Sequence, residues 1–341
     1  MSEISIAATT AATDKHVFKR VFLTGGSGFV GRNLIRHFVG KGTEVVALVR
    51  SEKAAALVTR LGATAYRGDI LDSTMIDGMK GCDLLIHAAA DTSHGAASPR
   101  QVRVNEEGTR LVLQSARTAG IRKVVHLSTE SVLATGKPLV NVDETTPVPA
   151  IAVGEYSRSK AAAEAIALAH SAEDFQVVVL RPRFVWGRDD TTALPALIEA
   201  AKSGKFAWIG GGNYLTSTTH IANLCYAVEC AVENGRGGDV YLISDGEPVE
   251  FRAFVIALLE TQNIAAPEKT VSRAVVSAIA ILGDFLAKLS GGRIVPPLTM
   301  QSFSASAVEV SLNIGKAQRE LGYVPLMSRK DGLEELRNIK R

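Results

Sequence analysis

Cysteine is scarce. Cys82, Cys225 and Cys230 are the whole complement, too few and too scattered for a disulfide framework or a zinc cage. Each reads as a small buried hydrophobe, and a reducing, cytoplasmic setting follows. Neither sign of charge dominates. With 38 Lys and Arg against 35 Asp and Glu the net charge is +3, and no basic block exceeds two residues. That excludes the electrostatic footprint of a nucleic-acid binder. No stretch has the roughly 20 apolar residues of a membrane-spanning helix; the most apolar one, Ala274–Leu289, contains Asp284 and Lys288. Internal repeats and low-complexity linkers are absent. Met1–His16 is rich in Ala, Thr and Ser, without the charged start and apolar centre of a secretory signal, and reads as part of a flexible leader over residues 1–18. What remains is ordinary globular usage, 46% hydrophobic and 21% charged, which excludes a disordered tail or a fibre.

The first half alternates strand and helix. Apolar runs Arg20–Thr24, Glu44–Val49, Ala63–Tyr66, Leu84–His87, Lys123–Leu127 and Gln176–Leu180 read as strands. Helices are expected over Phe29–Gly40, Glu52–Leu61, Val102–Ala119 and Glu155–His170. Continuous apolar strands interleaved with helices imply an α/β fold, a Rossmann-type doubly wound parallel sheet covered on both faces. After Arg181 the pattern loosens into shorter elements, consistent with a smaller α+β substrate lobe. Residues 19–187 are assigned mainly to a dinucleotide-binding domain. Residues 188–341 are assigned mainly to the substrate lobe, with some segments returning to the sheet.

Thr24-Gly25-Gly26-Ser27-Gly28-Phe29-Val30-Gly31 stands directly between the first strand and the first helix. Gly25 permits the tight turn, Gly28 lets a pyrophosphate approach the backbone, and Gly31 lets helix and strand pack closely. Free amides of Ser27, Phe29 and Val30 and the helix dipole then face the phosphates. The second strand ends at Arg50, 19 residues after Gly31. An acidic residue there suits the ribose of NAD and a cation suits the 2′-phosphate of NADP, so NADP is preferred and NAD stays open. Arg32 is a second candidate cation. Asp69 and Ile70 follow the third strand; Asp69 suits the adenine amino group or a turn.

Tyr156 and Lys160 are four residues apart, hence on one helical face. A fixed ammonium and an oxidised nicotinamide would both favour the phenolate. Tyr156 would then exchange a proton with a substrate oxygen while hydride moves at the adjacent carbon.

Together these features resemble an extended short-chain dehydrogenase/reductase. TGGSGFVG is similar to the family's TGxxGxxG, and Tyr156 with Lys160 to its YxxxK. The resemblance implies that Ala88, Ala89 and Ala90 line the cofactor and that Lys160 holds the nicotinamide ribose. It implies that Pro182 and Val185, in a segment like RPxxVYG, contact the nicotinamide. Asn105 matches a structural Asn counted with the catalytic group, and the late Leu321-Gly322-Tyr323-Val324-Pro325 resembles LGYxP. Leu127-Ser128-Thr129-Glu130-Ser131-Val132 registers on SS/STxxV. That assigns Thr129 to orient the substrate carbonyl, with Ser128 and Ser131 as alternatives.

Glu130 departs from the usual small residue. It is half of the acidic pair that dehydratase members carry, and reads as a loop cap or ion-pair partner. The resemblance is nearest to the 3β-hydroxysteroid dehydrogenase/isomerase branch. It implies NAD(P)-dependent interconversion of a secondary alcohol and a ketone or aldehyde on a hydrophobic, steroid-like small-molecule substrate. A nucleotide-sugar epimerase or dehydratase with retained NAD is the alternative, and a non-catalytic NADP-sensing protein a third reading. Val271–Leu289, with Val275, Ile279, Leu282, Phe285, Leu286 and Leu289 at helical spacing, reads as a buried amphipathic helix. A substrate wall and a peripheral membrane contact stay open for it, as does a homodimer for the whole chain. No metal, no nucleic-acid partner and no transmembrane segment are expected.

Overall fold

The computed structural model describes residues 18–92, 98–290, 296 and 298–339. Most of the leader and the second residue of the Pro296–Pro297 break lie outside the described residues. The chain begins with β1 (Arg20–Thr24), α1 (Phe29–Gly40), β2 (Glu44–Val49), α2 (Glu52–Arg60) and β3 (Thr64–Arg67). It continues with β4 (Leu84–His87), α3 (Gly108–Thr118), β5 (Lys123–Leu127), α4 (Gly154–Ala169) and β6 (Gln176–Pro182). Then follow α5 (Ile221–Asn234) and β7 (Val240–Ile243). All seven strands pair in parallel, in the order β7-β6-β5-β4-β1-β2-β3. The strands are apolar on both faces because both are covered. Val21, Leu23, Ile86 and Val125 face α1 and α5, whereas Phe22, Leu85 and Val124 face the α3 side.

The strand order reverses between β1 and β4, which opens the crevice where ligands of such sheets bind. The first expected helix ends are met closely. The helix expected from Val102 instead starts at Pro99 and passes through a π turn, Arg103–Glu107, before α3.

A second, four-stranded sheet comes from distant segments: Val249–Glu250, Leu215–Thr216, Val310–Leu312 and Leu139–Val142. The first of its strand pairs is antiparallel. Beside it lie helix α6 (Arg273–Leu289) and a short helix, Met300–Ser306. The expectation of a buried amphipathic α6 is corrected. Val276 and Ala280 join the core, but Val275, Phe285 and Leu289 are 56%, 60% and 74% exposed, and Ile279, Leu282 and Leu286 also point outward. Its inner contact is a narrow stripe of small residues, so the large side chains are left on the far face. Among the described residues no helix is long and apolar enough to cross a membrane.

Candidate active site

The site is assembled from the carboxyl ends of β1, β4, β5 and β6. At the end of β1 the chain turns through Gly25, whose φ is +75°. A Cβ there would lie 2.8 Å from the Ala89 amide nitrogen and 2.9 Å from the Ala88 carbonyl, so the turn and the segment after β4 touch. A Cβ on Gly31 would come within 2.1 Å of the Gly25 carbonyl oxygen. The glycine loop thus leaves no room for side chains on its inner side. Ser27 and Gly28 are exposed at the tip of α1, where the first helical amides have no intrahelical acceptor. This cradle fits a dinucleotide pyrophosphate.

The neighbouring segment is fixed by hydrogen bonds. Thr109 Oγ1 donates to the Asn105 carbonyl (2.6 Å), so it must accept from His87 Nε2 (3.0 Å). Nδ1 of the same ring then accepts from Thr24 Oγ1 (2.7 Å), whose oxygen accepts the Ala89 amide (3.1 Å). Burial, aided by the Lys160 charge, pushes the His87 imidazole down to about 3, which keeps it neutral. The Asn105 side chain accepts from the Asp91 amide (2.8 Å) and donates to the Asp91 carbonyl (3.1 Å) and to Ser159 Oγ (3.0 Å). It therefore ties the segment after β4 to α4 from the π turn.

Helix α4 carries Tyr156 and Lys160. Its buried Glu164 accepts from Ser128 Oγ (2.6 Å) and from Arg181 in a two-pronged pair, anchoring the helix to β5 and β6. Gln301 Oε1 accepts from the Ser157 amide (3.2 Å) and hydroxyl (3.0 Å) near the helix start. Lys160 Nζ donates to the Leu127 carbonyl (2.7 Å). Burial pushes its ammonium down to about 8 against the Glu164 carboxylate.

Thr129 hydrogen-bonds to the Tyr156 phenol. The same hydroxyl proton is alternatively donated to Glu130 Oε2 (2.9 Å), and the Thr129 oxygen accepts the Ser131 amide (3.2 Å). Burial holds the phenol well above its ordinary value, the Glu130 carboxylate adds to the rise, and Thr129 acts against it. Lys160, expected to act on this phenol from the same helical face, keeps its Nζ on the Leu127 carbonyl.

Other expected residues fall as follows. Arg50 is exposed at the end of β2. Arg32 turns away and donates to the Asp189 carbonyl (2.7 Å). Asp69 Oδ1 accepts the Leu71 amide (3.0 Å) in a turn, and Ile70 is buried against Gly108. Ala90 follows Ala89 in the segment after β4, while Pro182 ends β6 and Val185 pairs with Thr219. Of the alternatives to Thr129, Ser128 is occupied by Glu164, and Ser131 lies 3.2 Å from Thr129 Oγ1.

Glu130, read from sequence as a loop cap or ion-pair partner, does form an ion pair; sequence reading missed its partner and the state of His126. Glu130 pairs with Arg183 across 53 positions (2.5 Å). His126 is 1% exposed beside His87, and among the described residues neither of its ring nitrogens has a partner. The polar His126 inside the apolar run of β5 was the available signal. Among the described residues no group of three or more His, Cys, Asp or Glu is placed to hold a metal ion.

A model of the 3-beta hydroxysteroid dehydrogenase/isomerase family matches residues 22–273. The chain is 46% identical over 319 residues to a 4-hydroxy-2-methyl-3-oxo-4-farnesyl-3,4-dihydroquinoline-1-oxide ketoreductase of Stigmatella aurantiaca, covering 93% of this chain and 96% of that one. It is 30% identical to a decarboxylating sterol-4-alpha-carboxylate 3-dehydrogenase of Dictyostelium discoideum, covering 93% and 100%. The crystal structure of gox2253 superposes with a TM-score of 0.77 at 26% identity, over 95% of this chain and 99% of that one.

Proposed function

The chain belongs to the 3-beta hydroxysteroid dehydrogenase/isomerase family of extended short-chain dehydrogenases/reductases, and from that premise we propose how its residues work and on what substrate. It is an NAD(P)-dependent oxidoreductase that interconverts a ketone and a secondary alcohol. In our reading the amides of Ser27, Phe29 and Val30, beside Gly25, Gly28 and Gly31, would hold the coenzyme pyrophosphate, and Asp69 and Ile70 would face the adenine. Ala88, Ala89, Ala90, Pro182 and Val185 would border the nicotinamide. When bound, the nicotinamide supplies or accepts the hydride. Arg50, exposed where β2 ends, favours the 2′-phosphate of NADP, since a guanidinium forms charge-assisted bonds to phosphate.

Tyr156 gives a proton to the substrate oxygen or takes one from it, and Thr129 holds the phenol in place through their hydrogen bond. Lys160 acts from the same helical face, and Asn105 sets the helix against the segment after β4. The observation that supports this reading is that the glycine cradle follows β1, where strand order reverses, and Thr129, beside Tyr156, follows β5, both at the carboxyl end of the same sheet.

We assign a hydrophobic ketone as substrate. Support comes from the farnesylated and sterol compounds in the relatives' names. The outward apolar face of α6 is suited to a membrane surface or a second copy of the chain. Three free, buried cysteines suit a reducing cytoplasm. The epimerase or dehydratase alternative is less favoured, because Glu130 is engaged by Arg183 and Ser131 occupies the second acidic position.

The test is a panel of apolar and polar ketones and aldehydes, each with NADPH and NADH. Net NADPH oxidation by apolar ketones is expected. NAD retained through purification with no net turnover would instead favour the epimerase alternative.

A further inference from the structure

Glu130 and Arg183 have no part in the proton transfer assigned to Tyr156, yet their side chains are only 8% and 6% exposed. Burying two charges is unfavourable, and a buried ion pair is poor support for a fold, because well-packed apolar residues do as well or better. The geometry of the pair is directional. Oε1 of Glu130 faces Arg183 Nη1 at 2.5 Å, and Oε2 faces Thr129 Oγ1 at 2.9 Å. Arg183 is held from behind by Thr216 Oγ1 and the Ala305 carbonyl, both at 3.2 Å. The next residue, Phe184, has a φ of +41°, rare for a bulky side chain. That turn sends Phe184 into the aromatic cluster with Phe254 while Arg183 keeps to Glu130. The cation therefore sits on the far side of the carboxylate and the negative oxygen faces the hydroxyls.

Among the described residues, the other charged groups of the elements packed around the phenol have partners of their own. On α4, Lys160 is bound to the Leu127 carbonyl, Glu164 to Arg181, and Glu155 to Arg158. The π turn contributes Glu106, which bears on Glu155. His87 and His126, near Lys160, are kept neutral by burial. The short helix Met300–Ser306 has no charged residue. Among the described residues, Glu130 is the charge that bears on Tyr156.

We propose that Glu130 is a positioning residue that commits this site to carbonyl reduction near neutral pH. Its Oε2 competes for the one Thr129 proton that would otherwise be donated to the phenol oxygen, and so leaves Tyr156 with its own proton for the substrate oxygen. This rests on the role given to Tyr156 above. The reaction balances as ketone, reduced nicotinamide coenzyme and one proton giving secondary alcohol and oxidised coenzyme. The carbonyl π bond is replaced by a C–H and an O–H bond, and Tyr156 supplies the O–H proton. Alcohol oxidation needs the phenolate and is displaced to alkaline pH.

Glu130→Gln keeps the shape and removes the charge. Two readings test it: the pH dependence of alcohol oxidation, and the tyrosinate absorbance of the coenzyme-free protein minus that of its Tyr156→Phe counterpart. Both midpoints are expected to move down by about one pH unit, with coenzyme affinity unchanged. Unmoved or raised midpoints overturn the proposal. If Glu130→Gln does not fold, the double variant Glu130→Gln with Arg183→Met removes the pair together, and the same downward shift is required of it. A Tyr156→Phe protein that turns over at the wild-type rate would overturn the parent reading. An inactive Tyr156→Phe beside an unmoved Glu130→Gln midpoint overturns the positioning role alone.

Discussion

Gly28→Ala and Gly31→Ala should separate coenzyme binding from folding. A Cβ at Gly31 would stand 2.1 Å from the Gly25 carbonyl oxygen and 2.6 Å from Gly26 Cα. Both are backbone atoms that cannot swing aside. Overpacking of this kind costs about 1–3 kcal/mol, so at roughly 2 °C per kcal/mol the unfolding temperature should drop by about 2–6 °C. A Cβ at Gly28 would meet only the Gly25 carbonyl oxygen, at 3.3 Å, on an exposed helix tip. That variant should melt within about 1 °C of wild type. Its methyl group instead occupies the space a pyrophosphate needs. Losing one charge-assisted amide bond, about 1.5–3 kcal/mol, should raise the NADPH dissociation constant roughly 10- to 100-fold. Nucleotide fluorescence titration and thermal unfolding read the two effects. A Gly28→Ala protein that binds NADPH like wild type would refute the cradle as a phosphate site. A Gly31→Ala protein that melts like wild type would refute the packing.

Three further outcomes are expected. Arg50→Ser should weaken NADPH by about tenfold, one charge-assisted contact, and leave NADH unchanged; equal weakening of both would contradict the 2′-phosphate role. Lys160 titrates near 8 in the fold against 10.5 ordinarily, so the unfolded chain binds more protons between those values and the fold gains stability as pH rises through them. The unfolding temperature of wild type should therefore improve relative to Lys160→Met from pH 8 to 10.5, and parallel curves would contradict this. His126→Phe removes a buried imidazole that has no partner among the described residues, and should stabilise by about 1 kcal/mol. Chemical denaturation checks it, and a clear loss of stability would mean that the ring has a partner in solution.

Local patterns made the first half of the fold readable. β1, the glycine turn and α1 follow one another within 21 residues, Arg20–Gly40, and every step is governed by short-range chemistry. Tyr156 and Lys160 were legible for the same reason, since helical spacing alone puts them on one face. The second sheet was not, because two of its strands have only two residues each and its pairings join segments such as Leu139–Val142 and Val310–Leu312. No hydrophobic period survives in so short a strand. Glu130 was expected to cap or ion-pair, but nothing near it in the chain named Arg183. For α6 the apolar spacing suggested burial. The structure buries Val276 and Ala280 and packs Gly283 against Pro296 and Leu298, a choice made by tertiary packing.

Single-turnover reduction of an apolar ketone by Tyr156→Phe, with coenzyme binding measured beside it, bears hardest on the assignment of the proton donor. General acid catalysis contributes about 10²–10⁴-fold. The rate should fall by that much while the coenzyme dissociation constant stays at its wild-type value. A Tyr156→Phe enzyme that reduces the ketone at the wild-type rate would contradict it.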